Sequence, residues 1–196
     1  MDTHELPLFP LSTVLFPGGQ LSLRIFEPRY LDLVKRCGRS GDGFGVCLIL
    51  DGREAGEPAI PAALGTEAAI VDFAMTDDGL LGITVEGRRR FHVERTRARD
   101  DGLLLGNVSW KAEPAPVPLR DEHALLSVLL ARILDKAGIE HEGIGKGPLA
   151  EAGYVGWRLA EWLPLSAQER QWLLQVECPH ERLQQLVERL PDFQDE

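Results

Sequence analysis

The chain has 196 residues, of which 44% are hydrophobic, 27% charged and 7% aromatic, so it can bury a core without disulfides and has the composition of an ordinary soluble domain. Its formal net charge of −10 argues against general binding to nucleic acid, which is made largely by Lys and Arg neutralising phosphates. The start Met1-Asp2-Thr3-His4-Glu5 lacks the basic and apolar parts of a secretory signal, and no apolar run reaches the roughly 20 residues of a membrane span, so a cytoplasmic protein with no membrane partner is expected.

Pro7, Pro10 and Pro17 are expected at strand edges and turns, where a missing N–H is tolerated, and Gly18-Gly19 permits a tight turn. Leu21, Leu23 and Ile25 alternate with Gln20, Ser22 and Arg24, the period of a strand with one buried face. A helix is predicted from Pro28 to Cys37, with Gly38 as its stop and an apolar face of Tyr30 or Leu31, Val34 and Cys37. Phe44 to Leu50 reads as a fully buried strand, and the Ala-, Gly- and Pro-rich stretch from Arg53 to Leu64 as an irregular loop. Two hairpins follow, turning at Asp77-Asp78-Gly79 and Asp100-Asp101-Gly102, because Asp-Gly supplies the positive φ that such turns demand.

Within the second hairpin, residues 88–99 hold six arginines against the single Glu94, a local balance of +5 that leaves −15 for the rest of the chain. If Phe91 and Val93 point inward, an unbroken strand would carry Arg89 and Arg95 inward too, so a bulge or strand end is needed near Glu94.

The three alternating prolines of Glu113-Pro114-Ala115-Pro116-Val117-Pro118 exclude helix and separate two kinds of periodicity. The expected division is a β-rich part over 1–117 and a helical part over 118–196. Beyond the prolines a leucine stripe, Leu125, Leu126, Leu129, Leu130, Ile133 and Leu134, runs to Gly138. A glycine-rich connector, Gly143 to Gly147, leads to a second helix through Leu159 and Trp162 that stops before Pro164. Ser166-Ala167-Gln168-Glu169 is a capping box opening a third helix, and Cys178-Pro179 opens a fourth with Leu183, Leu186 and Leu190.

No constellation of catalytic, cofactor-binding or metal-binding residues emerges. Cys37, Cys47 and Cys178 have no C-x-x-C spacing, which leaves neither a disulfide framework nor a zinc ribbon. Gly143-Ile144-Gly145-Lys146-Gly147 lacks both the leading glycine and the hydroxyl after lysine of a phosphate loop. The five histidines have no partners at catalytic spacing.

Leu6-Pro7-Leu8-Phe9-Pro10-Leu11, Val14-Leu15-Phe16-Pro17-Gly18 and Leu23-Arg24-Ile25-Phe26-Glu27-Pro28-Arg29-Tyr30 together resemble the opening signature of the N-terminal, substrate-recognition domain of Lon proteases. Leu64-Gly65-Thr66, the segment from Gly87 to Phe91, Leu159 to Leu165 and Arg182-Leu183 extend the resemblance, in order, over about residues 5–190. It implies an α+β fold: a mostly antiparallel, PUA-like β pseudo-barrel with one short helix, followed by an α-helical bundle. It also implies a non-catalytic protein-binding module, free-standing because the chain ends where a Lon ATPase and Ser-Lys peptidase would follow. The motif residues Pro7, Phe9, Pro10, Phe16, Pro17, Gly18, Phe26, Pro28 and Tyr30 are read as structural. Glu27 and Arg29 carry groups able to touch a client, yet Glu27 also stands where a carboxylate caps a helix.

The expected partners are unfolded or partly exposed polypeptides, with a separate protease or chaperone beside them and no cofactor. Arg88, Arg90, Arg95, Arg97 and Arg99 are the candidate partner-binding residues, a surface suited to acidic segments, against the plainer reading of a solvated hairpin. The alternative function is RNA binding through the same Arg88–Arg99 hairpin, which the acidic remainder weighs against.

Overall fold

In the computed structural model, which describes residues 4–57 and 59–190, strand β1 (His4–Leu11) changes partner halfway along its length. Its first part, His4 to Leu8, pairs antiparallel with β6 (Leu104–Trp110), and Leu8 to Leu11 pairs parallel with β3 (Phe44–Asp51). Pro7 lies in the stretch bonded to β6 alone and Pro10 in the stretch bonded to β3 alone. Each proline therefore keeps one unpaired flank, where a missing N–H orphans no acceptor. The prolines sit in an internal strand after all, rather than at the edge of the sheet.

The remaining strands are β2 (Gln20–Ile25), β4 (Ile60–Met75) and β5 (Leu81–Ala98). The order is β2-β5-β4-β3-β1-β6, and β6 pairs back onto β5, so five strands close into a ring. One edge of the long β5 serves two neighbours: residues 81–86 pair with β2 and residues 91–98 with β6. Gly87 stands where the neighbour changes. A Cβ there would lie 2.2 Å from the Phe16 carbonyl oxygen, and reciprocal backbone bonds from Gly18 and to Gly19 lock the Phe16–Gly19 turn against it.

Both hairpin turns form as expected, with Gly79 at φ 78 and Gly102 at φ 81, and a shift of register falls between Val93 and Arg95 as the conflict of burial required. A second bulge, between Gly87 and Arg90 on β5, was not expected. It turns Arg89 out and Arg90 in. The Arg53–Leu64 loop ends sooner than composition suggested, because β4 begins at Ile60 with Ala62, Leu64 and Thr66 buried in alternation.

Helix α1 (Pro28–Ser40) buries Tyr30, Leu33, Val34 and Cys37 against the strands. It runs past Gly38 and stops at Gly41, which adopts φ 75. A Cβ at Gly38 would stand 3.1 Å from the tip of the exposed Phe73 ring, so the bare backbone lets that ring lie close over the helix.

The chain divides into two compact units between Ala112 and Glu113. The second unit opens with extended backbone: Ala152 N donates to Val117 O, Leu119 N donates to Ala150 O, and Pro118 bridges Glu151. A short 3-10 turn at Asp121–His123 leads into α2 (Ala124–Ala137), ended by Gly138 at φ 70. After it come α3 (Ala152–Trp162), α4 (Ala167–Gln175) and α5 (Pro179–Arg189). The Ser166/Glu169 capping box is formed, and Pro179 occupies the first turn of α5 after Cys178. Leu126, Leu130, Leu134, Leu159, Leu173 and Leu183 are all buried, whereas Leu125 of the expected stripe is exposed. Among the described residues no helix is long and apolar enough to cross a membrane.

Candidate functional site

The ring of strands leaves β2 outside it, bonded to β5 on one side and to no strand on the other among the described residues. From Leu21 to Ile25 five extended residues present an edge that pairs with no strand among the described residues, about 17 Å long at some 3.3 Å per residue. Beside that edge lies a groove of about 420 Å³. Ser22 to Phe26 form one wall, Phe9, Leu11 and Tyr30 line its interior, and Glu27 and Glu54 stand at its rim.

The groove floor follows from the alternation of β1. Leu6 and Leu8 face one core with Phe91 and Val108, so Phe9 and Leu11 face the other, shared with α1. Phe9 stacks on Tyr30 with ring centres 3.9 Å apart and 20° between planes. Burial pushes the Tyr30 phenol up to about 12, an effect that Arg29 opposes and that Glu27 and Glu54 reinforce. The hydroxyl thus stays protonated at neutral pH, and it has no hydrogen-bond partner among the described residues. Phe26, next along the chain from β2, is 58% exposed at the mouth. A flat aromatic floor, a free strand edge and an exposed ring make a surface for an extended chain with apolar side chains.

The loop after β3 forms the far rim. Glu54 accepts from the backbone N and the hydroxyl of Ser12, and Gly56 N donates to Glu27 at 3.4 Å. Glu27 occupies the cap position of α1 but makes no cap bond; it pairs instead with Arg29 at 3.0 Å. Arg29 is buried and donates to the Gly102 carbonyl at 2.9 Å, so it ties the second hairpin turn to the start of α1. Its guanidinium is spent on the fold.

The arginine-rich strand behaves differently from the surface expected of it. Arg90 is fully buried, because the bulge before it reverses the alternation, and it leaves the candidate partner surface. Arg88 pairs with Glu86, Arg97 with Glu5 and Arg99 with Asp101, at 3.0, 2.7 and 3.2 Å. Arg89 pairs with Glu67 and lies 3.5 Å over the Trp110 ring. Arg95 is exposed and without an ion pair among the described residues. The local charge of +5 is thus largely met, for Arg88 and Arg99 by acids two residues away along the chain and for Arg89 and Arg97 by acids of β4 and β1, which no count along the sequence displays. Arg97 and Arg99 also line a second groove, of about 650 Å³, with Arg36, Glu5, Asp42 and Glu67. Three cations and three anions there cancel.

Of the family-motif residues, Phe9, Phe16, Arg29 and Tyr30 are buried and Phe26 is not. The cysteines are unbridged; Cys37 and Cys47 are buried, and burial pushes the Cys47 thiol up to about 12. Among the described residues no group of three or more metal-ligating side chains comes together. The groove itself was missed by sequence reasoning, which put the candidate partner surface on the arginines of residues 88–99. Phe26 was its one visible sign: a large aromatic following a strand and out of step with its buried positions.

Residues 5–192 match the model of the ATP-dependent protease La (Lon) substrate-binding domain. The crystal structure of a Lon N-terminal domain protein from Xanthomonas campestris is 50% identical and superposes with a TM-score of 0.79, covering 94% of this chain and 97% of that one. The N-terminal domain of a Mycobacterium avium complex Lon protease is 17% identical, with a TM-score of 0.67 over 94% of this chain and 97% of that one, and shares the fold. A Lon protease from Cytophaga hutchinsonii is 28% identical over 123 residues, 59% of this chain and 15% of its own length.

Proposed function

This chain belongs to the Lon substrate-binding domain family, and from that membership we propose that it recognises exposed, extended polypeptide by adding it as a strand to the free edge of β2. Main-chain hydrogen bonds to β2 hold the client without regard to sequence. Every second client side chain enters the groove over Phe9 and Tyr30, and Phe26 closes on the apolar ones. The observation that carries this reading is the convergence of an unpaired strand edge, an aromatic floor and the exposed Phe26 in one place. The module works as an adaptor in protein quality control, presenting unfolded clients to a separate protease or chaperone. The substrate-binding character of the family supports that role.

The test is titration of a reduced, carboxymethylated protein into wild type and Phe26→Ser. Half-exposed, Phe26 contributes little to the fold, and substitutions at such positions usually change stability by less than about 0.5 kcal/mol. Losing its burial against a client, about 1–2 kcal/mol, weakens binding by about tenfold. Equal affinities for the two proteins would remove the groove from the site.

A further inference from the structure

The two rims of the groove differ in charge. On the β2 side, Arg24 is neutralised by its ion pair with Asp78. On the loop side, Glu27 is neutralised by Arg29, but Glu54 accepts only from Ser12 and has no cationic partner among the described residues. The same loop adds exposed Asp51 and Glu57 against Arg53, which leaves residues 51–57 at −2. A client strand lying along β2 therefore has a neutralised rim on one side and an anionic one on the other.

We propose that the groove selects extended segments in which a large apolar side chain has lysine or arginine two positions away, the apolar group lying over Phe9 and Tyr30 and the cation at Glu54. This inference rests on the strand-addition reading. In a strand, positions i and i+2 share a face about 6.6 Å apart, so both side chains enter the same groove. The cation meets a carboxylate already held in place by two hydrogen bonds, so little further ordering is needed on the protein's side. The unpaired Tyr30 hydroxyl, protonated and able to accept or donate, stands beside the path of the basic side chain. A glutamate or aspartate in the same place is repelled by Glu54. The preferred client is thus apolar and basic, the reverse of the acidic segment that the run of arginines in β5 suggests.

Three labelled eight-residue peptides in a common Ser/Thr background test it with the full chain: one with Phe and Lys two positions apart, one with Phe and Glu, one with Ser and Lys. The Phe/Lys peptide binds about fivefold more tightly than the Phe/Glu peptide in low salt, the Ser/Lys peptide binds weakly, and the fivefold advantage shrinks as salt rises. In Glu54→Gln, whose amide oxygen still accepts from Ser12, the advantage disappears; in Glu54→Lys it reverses, with the thermal midpoint of each variant confirming the fold. Equal binding of both Phe peptides to wild type and to the variants overturns charge selection and leaves the groove reading standing. Failure of every peptide to bind overturns both.

Discussion

The guanidinium of Arg182, on α5, lies 3.1 Å from the centre of the Trp157 ring, on α3, and is fully buried. Its Nη2 donates to the Val176 carbonyl at 2.6 Å and its Nε to the Leu173 carbonyl at 3.4 Å. One side chain therefore joins three helices, giving the Val176 carbonyl just past α4 a charged donor and the Leu173 carbonyl a second donor beside the Val176 N–H. Arg182→Ala takes the donor from the buried Val176 carbonyl and leaves a void over Trp157, so it costs about 3 kcal/mol of unfolding free energy in urea, whereas Arg189→Ala on the same helix, partly exposed, costs under about 1. Similar midpoints for the two variants would show that the buried cation is not what fastens α5.

Arg90 and Arg95 give a second contrast within one strand. Arg90 is fully buried beside the bulge and Arg95 is exposed beyond the other. Arg90→Ser is expected to destabilise by about 2 kcal/mol, by exposing a void and disturbing buried polar groups, and Arg95→Ser by no more than about 0.5. Denaturant midpoints measure both. Equal, small effects would return Arg90 to the surface.

The helical unit carries one pH-sensitive histidine, His180, packed against a second imidazole. His123, 2% exposed, stacks on His180 with ring centres 5.8 Å apart and 16° between planes. Neither nitrogen of His123 nor Nδ1 of His180 has a hydrogen-bond partner among the described residues. Burial holds His180 below its ordinary value, Arg120 and the second imidazole push it the same way, and Glu122 opposes them. Because the folded pKa is lowered, the unfolded chain takes up this proton first as pH falls. Stability is therefore intact above the unfolded value of about 6.5 and declines as pH drops through it. Thermal midpoints from about pH 7.5 to about pH 5.5 should fall more steeply in wild type than in His180→Asn. Parallel slopes would show that His180 does not sense pH.

What the sequence displayed was what is decided locally. The Asp-Gly turns and the Ser166/Glu169 capping box satisfy backbone groups within four residues, and the proline opening α5 removes a donor that the first turn would leave unbonded, so residue type alone reveals them. The conflict of burial between Phe91 and Arg95 even located an irregularity near Glu94, a bulge or a strand end, and the structure has the bulge. Features decided across the chain stayed hidden. Gly38 looks like a helix stop until the Phe73 ring, 35 residues on, is seen to lie close over it while α1 runs on to Gly41. Arg90 looks exposed until the pairing of β5 with β4 is known. The groove depends on β6 rather than β2 closing the ring, and on Glu54 reaching Ser12 across 42 residues.

Backbone exchange along β2 tests the central claim most directly. With no strand on its second edge among the described residues, amides from Leu21 to Ile25 that face away from β5 should exchange quickly in the free protein. Saturation with an unfolded client should slow those amides, in alternation along the strand, while amides of β2 already bonded to β5 and those of α5 stay as they were. Protection of every second β2 amide is the result strand addition requires. Client binding that leaves β2 exchange unchanged, or protects another surface instead, would contradict it.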